Sequence, residues 1–123
     1  MGKKYIRRVS QMIQRKVAQL LLEESNDPRL SMVTITDVTV NRDTTRAEVY
    51  YSIIGTPEEK IEVQEALDKA AKWLRAELAP TLRLRNLPQL IFVYDPSLEY
   101  GDRIDAILGQ LHNEDQADTL EPS

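Results

Sequence analysis

The spacing of hydrophobic residues changes along the chain, and these changes predict a mixed α and β fold. Between residues 5 and 24 apolar side chains recur every three or four positions, which is typical of an amphipathic helix. Pro28 predicts the end of this helix, because a proline disfavours helical geometry at the residue before it. The predicted buried stripe consists of Ile6, Val9, Ile13, Val17 and Leu20.

Residues 32–40 and 45–54 alternate between apolar and polar side chains and are rich in β-branched residues, which predicts two strands. The alternation of the first strand slips by one position, so we expect a β-bulge near Thr36 and Asp37. The intervening Asn41-Arg42-Asp43 is typical of a turn, and the two strands should form an antiparallel hairpin. The predicted inward side chains of the second strand are Ala47, Val49, Tyr51 and Ile53.

A second helix is predicted after Gly55. Thr56 is suited to the N-cap, Pro57 to the first helical position and Glu59 to a capping box, and we expect the helix to reach Ala79 and end at Pro80.

Residues 88–94 are apolar on both faces, which predicts a strand that is covered on both sides or lies in the middle of the sheet. A last helix is expected from Asp95-Pro96, with Ile104, Ile107, Leu108 and Leu111 inward. The predicted fold class is a single-domain α+β protein, a two-layer α/β sandwich. Residues 1–112 are predicted to form the domain and residues 113–123 a flexible acidic tail.

The net charge of −4 hides two basic segments. Residues 1–22 contain six lysines and arginines and no acid, and a second basic segment spans residues 69–86. Because salt screens charges beyond about 10 Å, a local basic face can bind phosphate on an acidic protein. The predicted RNA-binding residues are Lys4, Arg8, Arg15, Arg42, Arg46, Lys69, Lys72, Arg75, Arg83 and Arg85.

No set of residues in the sequence predicts an enzyme. Cysteine is absent and His112 is the single histidine, so neither a catalytic triad nor a Cys- or His-rich metal site is expected. No glycine-rich phosphate loop occurs, and the glutamates at residues 58–65 suit the start of a helix. We therefore expect no cofactor, no metal, no small-molecule substrate and no membrane segment, and a reducing, cytoplasmic location.

Several motifs, in order along most of the chain, resemble the ribosome-binding factor A family. Residues 84–95 (LRNLPQLIFVYD) are the longest of them, and Ser97, Leu98, Gly101, Arg103 and Ile104 continue the match. Residues 27–30 (DPRL), residues 33–40, the Arg42-Asp43 turn and residues 47–50 (AEVY) match the same family.

This resemblance implies a type II KH-like fold with the order α-β-β-α-kink-α-β and a C-terminal helix. It implies a monomeric factor that binds the free 30S ribosomal subunit and its 16S rRNA, assists late 30S maturation and 16S rRNA processing, and is linked to growth in the cold. The family lacks the GxxG loop of ordinary KH domains and has an Ala-x-Gly kink between two helices. The kink here corresponds to Ala70-Ala71-Lys72, with lysine in place of glycine.

Two other classes of function remain open from the residues alone. A protein-interaction module would dock the basic helix on an acidic partner. A small hydrolase would use paired carboxylates as acid and base, although no metal cluster supports it.

Overall fold

The structure is a computed structural model that describes residues 2–83, 87–97 and 99. Its elements are helix α1 (Lys3–Glu23), a 3-10 helix (Pro28–Met32), strands β1 (Thr34–Val40) and β2 (Arg46–Ser52), helix α2 (Pro57–Leu82) and strand β3 (Gln89–Tyr94). The predicted order of elements is confirmed as far as β3. The predicted last helix, the predicted tail and Arg85 lie outside the described residues.

The three strands form one sheet in the order β1-β2-β3. β1 pairs antiparallel with β2, as predicted, and its register shifts between Ile35 and Asp37, which confirms the β-bulge. β3 pairs parallel with β2 and occupies an edge of the described sheet, so of the two predicted alternatives the position in the middle of the sheet is wrong. Apolar residues on both faces do not require a strand on both sides, because β-branched residues such as Ile91 and Val93, which are half-buried here, suit any pleated surface.

Both helices pack on one face of the sheet, which confirms the predicted two-layer sandwich. α1 packs on β1, α2 packs on β3, and the two helices contact each other. The side chains of β2 predicted to point inward are all buried beneath them. The core around them includes Val9, Ile13, Val17 and Leu20 of α1 and Leu67, Leu74 and Leu78 of α2.

The predicted capping box at the start of α2 is confirmed. The Thr56 hydroxyl accepts a hydrogen bond from the Glu59 N–H at 3.1 Å, and Glu59 Oε1 accepts one from the Thr56 N–H at 2.9 Å. The backbone donor of Thr56 lowers the pKa of Glu59 below its ordinary value. This reciprocal pair satisfies two backbone donors that the first turn of a helix leaves without partners.

The prediction that α2 ends at Pro80 is wrong, because the helix continues through this proline to Leu82. Arg83 then takes a left-handed conformation, and its N–H donates to the Ala79 carbonyl at 3.2 Å. An interior proline costs a helix about 3 kcal/mol. Burial of Leu78 and Leu82 on either side offsets this cost, since a buried leucine contributes about 1.5–3 kcal/mol.

The positions at which the resemblance implies a kink between two helices lie inside the single helix α2. Ala70, Ala71 and Lys72 all lie inside α2, and the Lys72 side chain is exposed. Lysine favours the interior of a helix over glycine by about 1 kcal/mol. The substitution of lysine for the kink glycine is therefore consistent with an unbroken helix.

Glycine at position 72 should destabilise the protein because it lies in the middle of α2. We expect Lys72→Gly to lower the free energy of unfolding by about 1 kcal/mol, measured by urea denaturation. Lys72→Ala removes the same charge but keeps a good helix former, and should leave stability almost unchanged. Equal stability of the two variants would contradict a continuous helix at this position.

Candidate nucleic-acid interface

The β1–β2 turn and the start of β3 lie at the same end of the sheet. Arg46, the first residue of β2, is paired with Gln89, the first residue of β3. The Gln89 N–H donates to the Thr45 carbonyl at 2.9 Å, and the Asn41 N–H donates to the Arg46 carbonyl at 3.1 Å. These bonds place the β1–β2 turn, which carries Arg42, at the same end of the sheet as the beginning of β3.

The first turns of α1 reach this same end. Lys3, Ile6 and Arg7 line a groove of about 600 Å³ together with Val40 and Arg42. Lys4 and Arg8 follow Lys3 and Arg7 in the chain and are exposed on the same turns of the helix. The basic N-terminal segment and the basic turn, which are far apart in the sequence, therefore meet in space.

The second half of α2 also approaches this end, from the β3 side. Lys72 and Arg75 line a second groove with Gln89 and Leu90. The Arg75 guanidinium donates to the carbonyls of Leu87 and Pro88 at 2.9 and 3.2 Å, which ties α2 to the segment that enters β3. We call the exposed cations gathered here the basic end: Lys3, Lys4, Arg7, Arg8, Arg42, Arg46, Lys72 and Arg75.

Acidic residues accumulate at the opposite end of the sheet. α2 begins there with Glu58 and Glu59, soon after β2 ends. Asp95 follows β3, and its N–H donates to the Tyr51 carbonyl at 2.7 Å. Glu99 forms an ion pair with Lys60 in the first turns of α2. The charge is thus polarised along the strands, which explains how an acidic protein presents a strongly basic surface.

The predicted RNA-binding residues divide into two groups. Lys4, Arg8, Arg42, Arg46, Lys72 and Arg75 belong to the basic end. Arg15 is exposed farther along α1, Arg83 is exposed just after α2, and Lys69 lines a cleft of about 330 Å³ with Arg29 and Trp73.

Sequence reasoning missed Lys3 and Arg7. Both residues lie beside the apolar stripe of α1, whereas the predicted Lys4 and Arg8 lie nearer the middle of its polar face. A basic residue beside the apolar stripe is a sequence signal that could have indicated contact with the neighbouring β1–β2 turn and its Arg42. The double hydrogen bond of Arg75 with the backbone has no sequence signal, because it depends on how α2 lies against β3.

Hydrogen bonds lower the pKa values of three carboxyl groups besides Glu59. Hydrogen bonds from Arg29 lower the pKa of Asp27, those from Thr45 lower the pKa of Asp43, and the Thr36 hydroxyl, 2.5 Å from Asp95 Oδ2, lowers the pKa of Asp95. A carboxyl group that acts as a general acid near neutral pH needs a raised pKa. These three groups are therefore suited to structural roles.

Two further searches cover the described part of the chain. Within residues 2–83, 87–97 and 99, no group of three or more histidine, aspartate or glutamate side chains is placed to hold a metal ion. Among the helices described there, none has the length and apolar character needed to cross a membrane.

Comparisons with known proteins point to one family. The family model described as ribosome-binding factor A matches residues 6–108. A ribosome-binding factor A of Syntrophobacter fumaroxidans is 44% identical over 107 residues, covering 85% of this chain and 92% of the relative. The ribosome-binding factor A of Caldanaerobacter subterraneus subsp. tengcongensis is 40% identical over 112 residues, covering 90% of this chain and 92% of the relative.

The fold is similar to solved structures of the same description. The crystal structure of ribosome-binding factor A from Thermus thermophilus gives a TM-score of 0.63 at 29% identity, covering 76% of this chain and 97% of that one. A homology model of the Thermus thermophilus protein, fitted into the cryo-EM map of a 30S complex, gives a TM-score of 0.59 at 29% identity, covering 71% and 91%. The type II KH-like fold expected from the sequence is consistent with these neighbours.

The low pKa of Asp95 depends on the hydroxyl of Thr36. We expect Thr36→Val to raise the pKa of Asp95 toward its ordinary value of 3.8. The rise should be incomplete, because the Ser97 N–H still donates to Asp95 at 2.9 Å. A carboxyl whose pKa is lowered by folding stabilises the protein fully above its ordinary pKa, and this contribution is lost as the pH falls through the lowered value. The variant should therefore lose less stability than the parent protein below about pH 4.

An NMR titration of the side-chain carboxyl carbons measures this pKa directly. Thr39→Val is the matched control, because Thr39 is an exposed threonine on the same strand that forms no hydrogen bond with Asp95. An unchanged pKa of Asp95 in Thr36→Val would show that this hydrogen bond does not determine it.

Proposed function

The chain belongs to the ribosome-binding factor A family, and from this membership we propose that it binds the free 30S ribosomal subunit and its 16S rRNA. It assists late maturation of the subunit, including 16S rRNA processing, as a monomeric and non-catalytic factor in the cytoplasm that supports growth in the cold. A solved relative supports this proposal, since the Thermus thermophilus protein has been fitted into the map of a 30S complex.

Apart from family membership, the basic end is the observation that most strongly supports RNA binding. Its exposed cations come from α1, the β1–β2 turn, β2 and α2, and they share one end of the molecule. Cations presented at one end of the molecule on helices and strands suit the repeated phosphates of RNA, and such contacts dominate the affinity of proteins for nucleic acid. The acidic opposite end disfavours RNA, so the charge distribution orients the protein on its target.

We assign direct RNA contacts to Lys4, Arg8, Arg42, Arg46 and Lys72 at the basic end. Arg15, Lys69, Arg83 and Arg85 extend the same surface in this proposal. Arg75 has a mixed role, because its guanidinium also holds the backbone of Leu87 and Pro88. Residues 1–112 constitute the RNA-binding domain in this proposal. Residues 113–123 form an acidic tail, which is not required for contacts with phosphate.

Co-sedimentation with purified 30S subunits tests the proposed function. We expect the protein to pellet with free 30S subunits and not with assembled 70S ribosomes. Binding should weaken steeply with salt, with a log–log slope of about −0.7 for each phosphate contacted on single-stranded RNA.

Loss of two cations of the basic end should weaken 30S binding and flatten its salt dependence. The double variant Lys4→Gln/Lys72→Gln should reduce the steepness of the salt slope by about 1.4. Lys16→Gln is the control, because Lys16 lies on α1 but outside the basic end and is half-buried. A salt-independent interaction, or equal losses in the control and double variants, would contradict RNA binding by the basic end.

Naked 16S rRNA separates RNA binding from binding to an acidic protein surface. The proposed function predicts that Lys4→Gln/Lys72→Gln weakens binding to naked rRNA and to 30S subunits in parallel. If the variant bound naked rRNA like the parent protein but lost the subunit, the basic end would instead contact a ribosomal protein.

A further inference from the structure

We infer that the groove between α1 and the β1–β2 turn is a binding site for an unpaired RNA nucleotide; this assignment rests on the proposed function and specifies part of it. Lys3, Ile6, Arg7, Val40 and Arg42 line the groove. Its volume of about 600 Å³ lies within the range of about 300–1,000 Å³ that is usual for small-molecule sites.

The lining of the groove combines the two chemical features of a nucleotide. Lys3, Arg7 and Arg42 are exposed cations, which suit the phosphate. Ile6 and Val40 are half-buried, so each presents part of an apolar side chain, which suits the face of a base or the ribose. The other groove of the basic end contains Asp68 beside Lys72 and Arg75, whereas none of the acidic residues that the structure describes lines this one.

The three cations of the groove have no ion-pair partner among the described residues, where the ion pairs are Arg29–Asp27 and Lys60–Glu99. Asp43 is the nearest acid in sequence to Arg42, but its Oδ1 already accepts hydrogen bonds from the Thr45 hydroxyl and N–H at 2.6 and 3.2 Å. These hydrogen bonds lower the pKa of Asp43 and engage its carboxylate within the turn. No ion pair among the described residues therefore occupies the groove cations.

The turn that carries Arg42 is held in one conformation. Asn41 Oδ1 accepts a hydrogen bond from the Arg46 N–H at 2.9 Å, and the Asn41 side-chain amide donates to the Thr45 hydroxyl at 2.8 Å. Thr44, in the same turn, is buried in a left-handed conformation with φ of 57°. A rigid turn loses little conformational entropy when a ligand binds, which favours a site of defined shape.

Ile6 and Val40, which we call the apolar floor of the groove, allow it to distinguish an unpaired nucleotide from a duplex. The bases of an RNA helix are stacked inside it and present phosphates and ribose to a protein, whereas the bases of a single strand are exposed and can lie on side chains. A duplex would use the three cations but leave Ile6 and Val40 without a contact. The groove should therefore prefer single-stranded RNA over a duplex of equal charge.

NMR spectra of the methyl groups of Ile6 and Val40 can detect RNA binding to the apolar floor without any substitution. On titration with a single-stranded hexauridylate, we expect the methyl resonances of Ile6 and Val40 to shift more than that of Val93, a half-buried valine on β3 outside the groove. With an RNA duplex of equal phosphate content the two groove methyls should shift less than with hexauridylate. Equal shifts at all three methyls with hexauridylate would overturn the site.

Two variants separate the floor from the cations in binding assays with the same oligonucleotide. Val40→Thr should lower the affinity about fourfold, the effect of losing one buried methyl group, and should leave the salt slope unchanged. The matched control Val93→Thr should not change the affinity. Arg7→Gln/Arg42→Gln should instead reduce the steepness of the salt slope by about 1.4. Urea denaturation of each variant verifies that it is folded.

The outcomes for the groove and for the proposed function are distinguishable. If the parent protein pelleted with 30S subunits but Val40→Thr bound hexauridylate like Val93→Thr, the groove assignment would be wrong and the proposed function would stand. If the oligonucleotide results were as expected but the protein did not pellet with 30S subunits, the groove would be an RNA site and the proposed function would be wrong. If Arg7→Gln/Arg42→Gln lost 30S subunits but bound hexauridylate like the parent protein, the groove would bind an acidic protein segment and not RNA.

Discussion

The register of the whole sheet is set by strand β2, its central strand. It is hydrogen-bonded to β1 on one side and to β3 on the other, and its inward residues, which include Ala47, Val49 and Tyr51, are fully or almost fully buried under the two helices. A slip of one residue would turn these side chains toward solvent. The bulge between Ile35 and Asp37 of β1 absorbs the shift in register between β1 and this strand, whereas β3 pairs with it without a shift. The antiparallel and parallel pairings of β2 then bring the β1–β2 turn and the start of β3 to one end, where the basic residues collect.

The position of α2 along the sheet is fixed by a polar contact inside the apolar layer. The Tyr51 hydroxyl donates to Gln64 Oε1, and Gln64 Nε2 donates to the Phe92 carbonyl at 3.1 Å. Burial raises the pKa of Tyr51 to about 12, so the hydroxyl remains a donor over the whole physiological pH range. About three helical turns beyond Gln64, Arg75 reaches the carbonyls that precede β3. This contact helps to place Lys72 at the basic end.

Local features of the fold were predictable from the sequence, and features that depend on packing between elements were not. The stripe of α1, the hairpin with its bulge and the Thr56 capping box follow from spacing and from hydrogen bonds within a few residues. The end of α2 was predicted wrongly, because burial of Leu78 and Leu82 outweighs the local preference of Pro80. The edge position of β3 depends on a parallel pairing between strands that are distant in sequence, which local patterns do not reveal. Most cations of the candidate site were identified from the sequence. That Lys3 and Arg7 line one groove with Arg42 could not be predicted, because it depends on how α1 packs against the β1–β2 hairpin.

A cryo-EM structure of this protein bound to the free 30S subunit would test RNA binding by the basic end most directly. The charge distribution predicts that the first turns of α1, the β1–β2 turn and Lys72 face rRNA phosphates, while the start of α2 with Glu58 and Glu59 points away from the RNA. A complex in which the acidic end lies on the rRNA and the basic end is exposed to solvent would contradict the central claim.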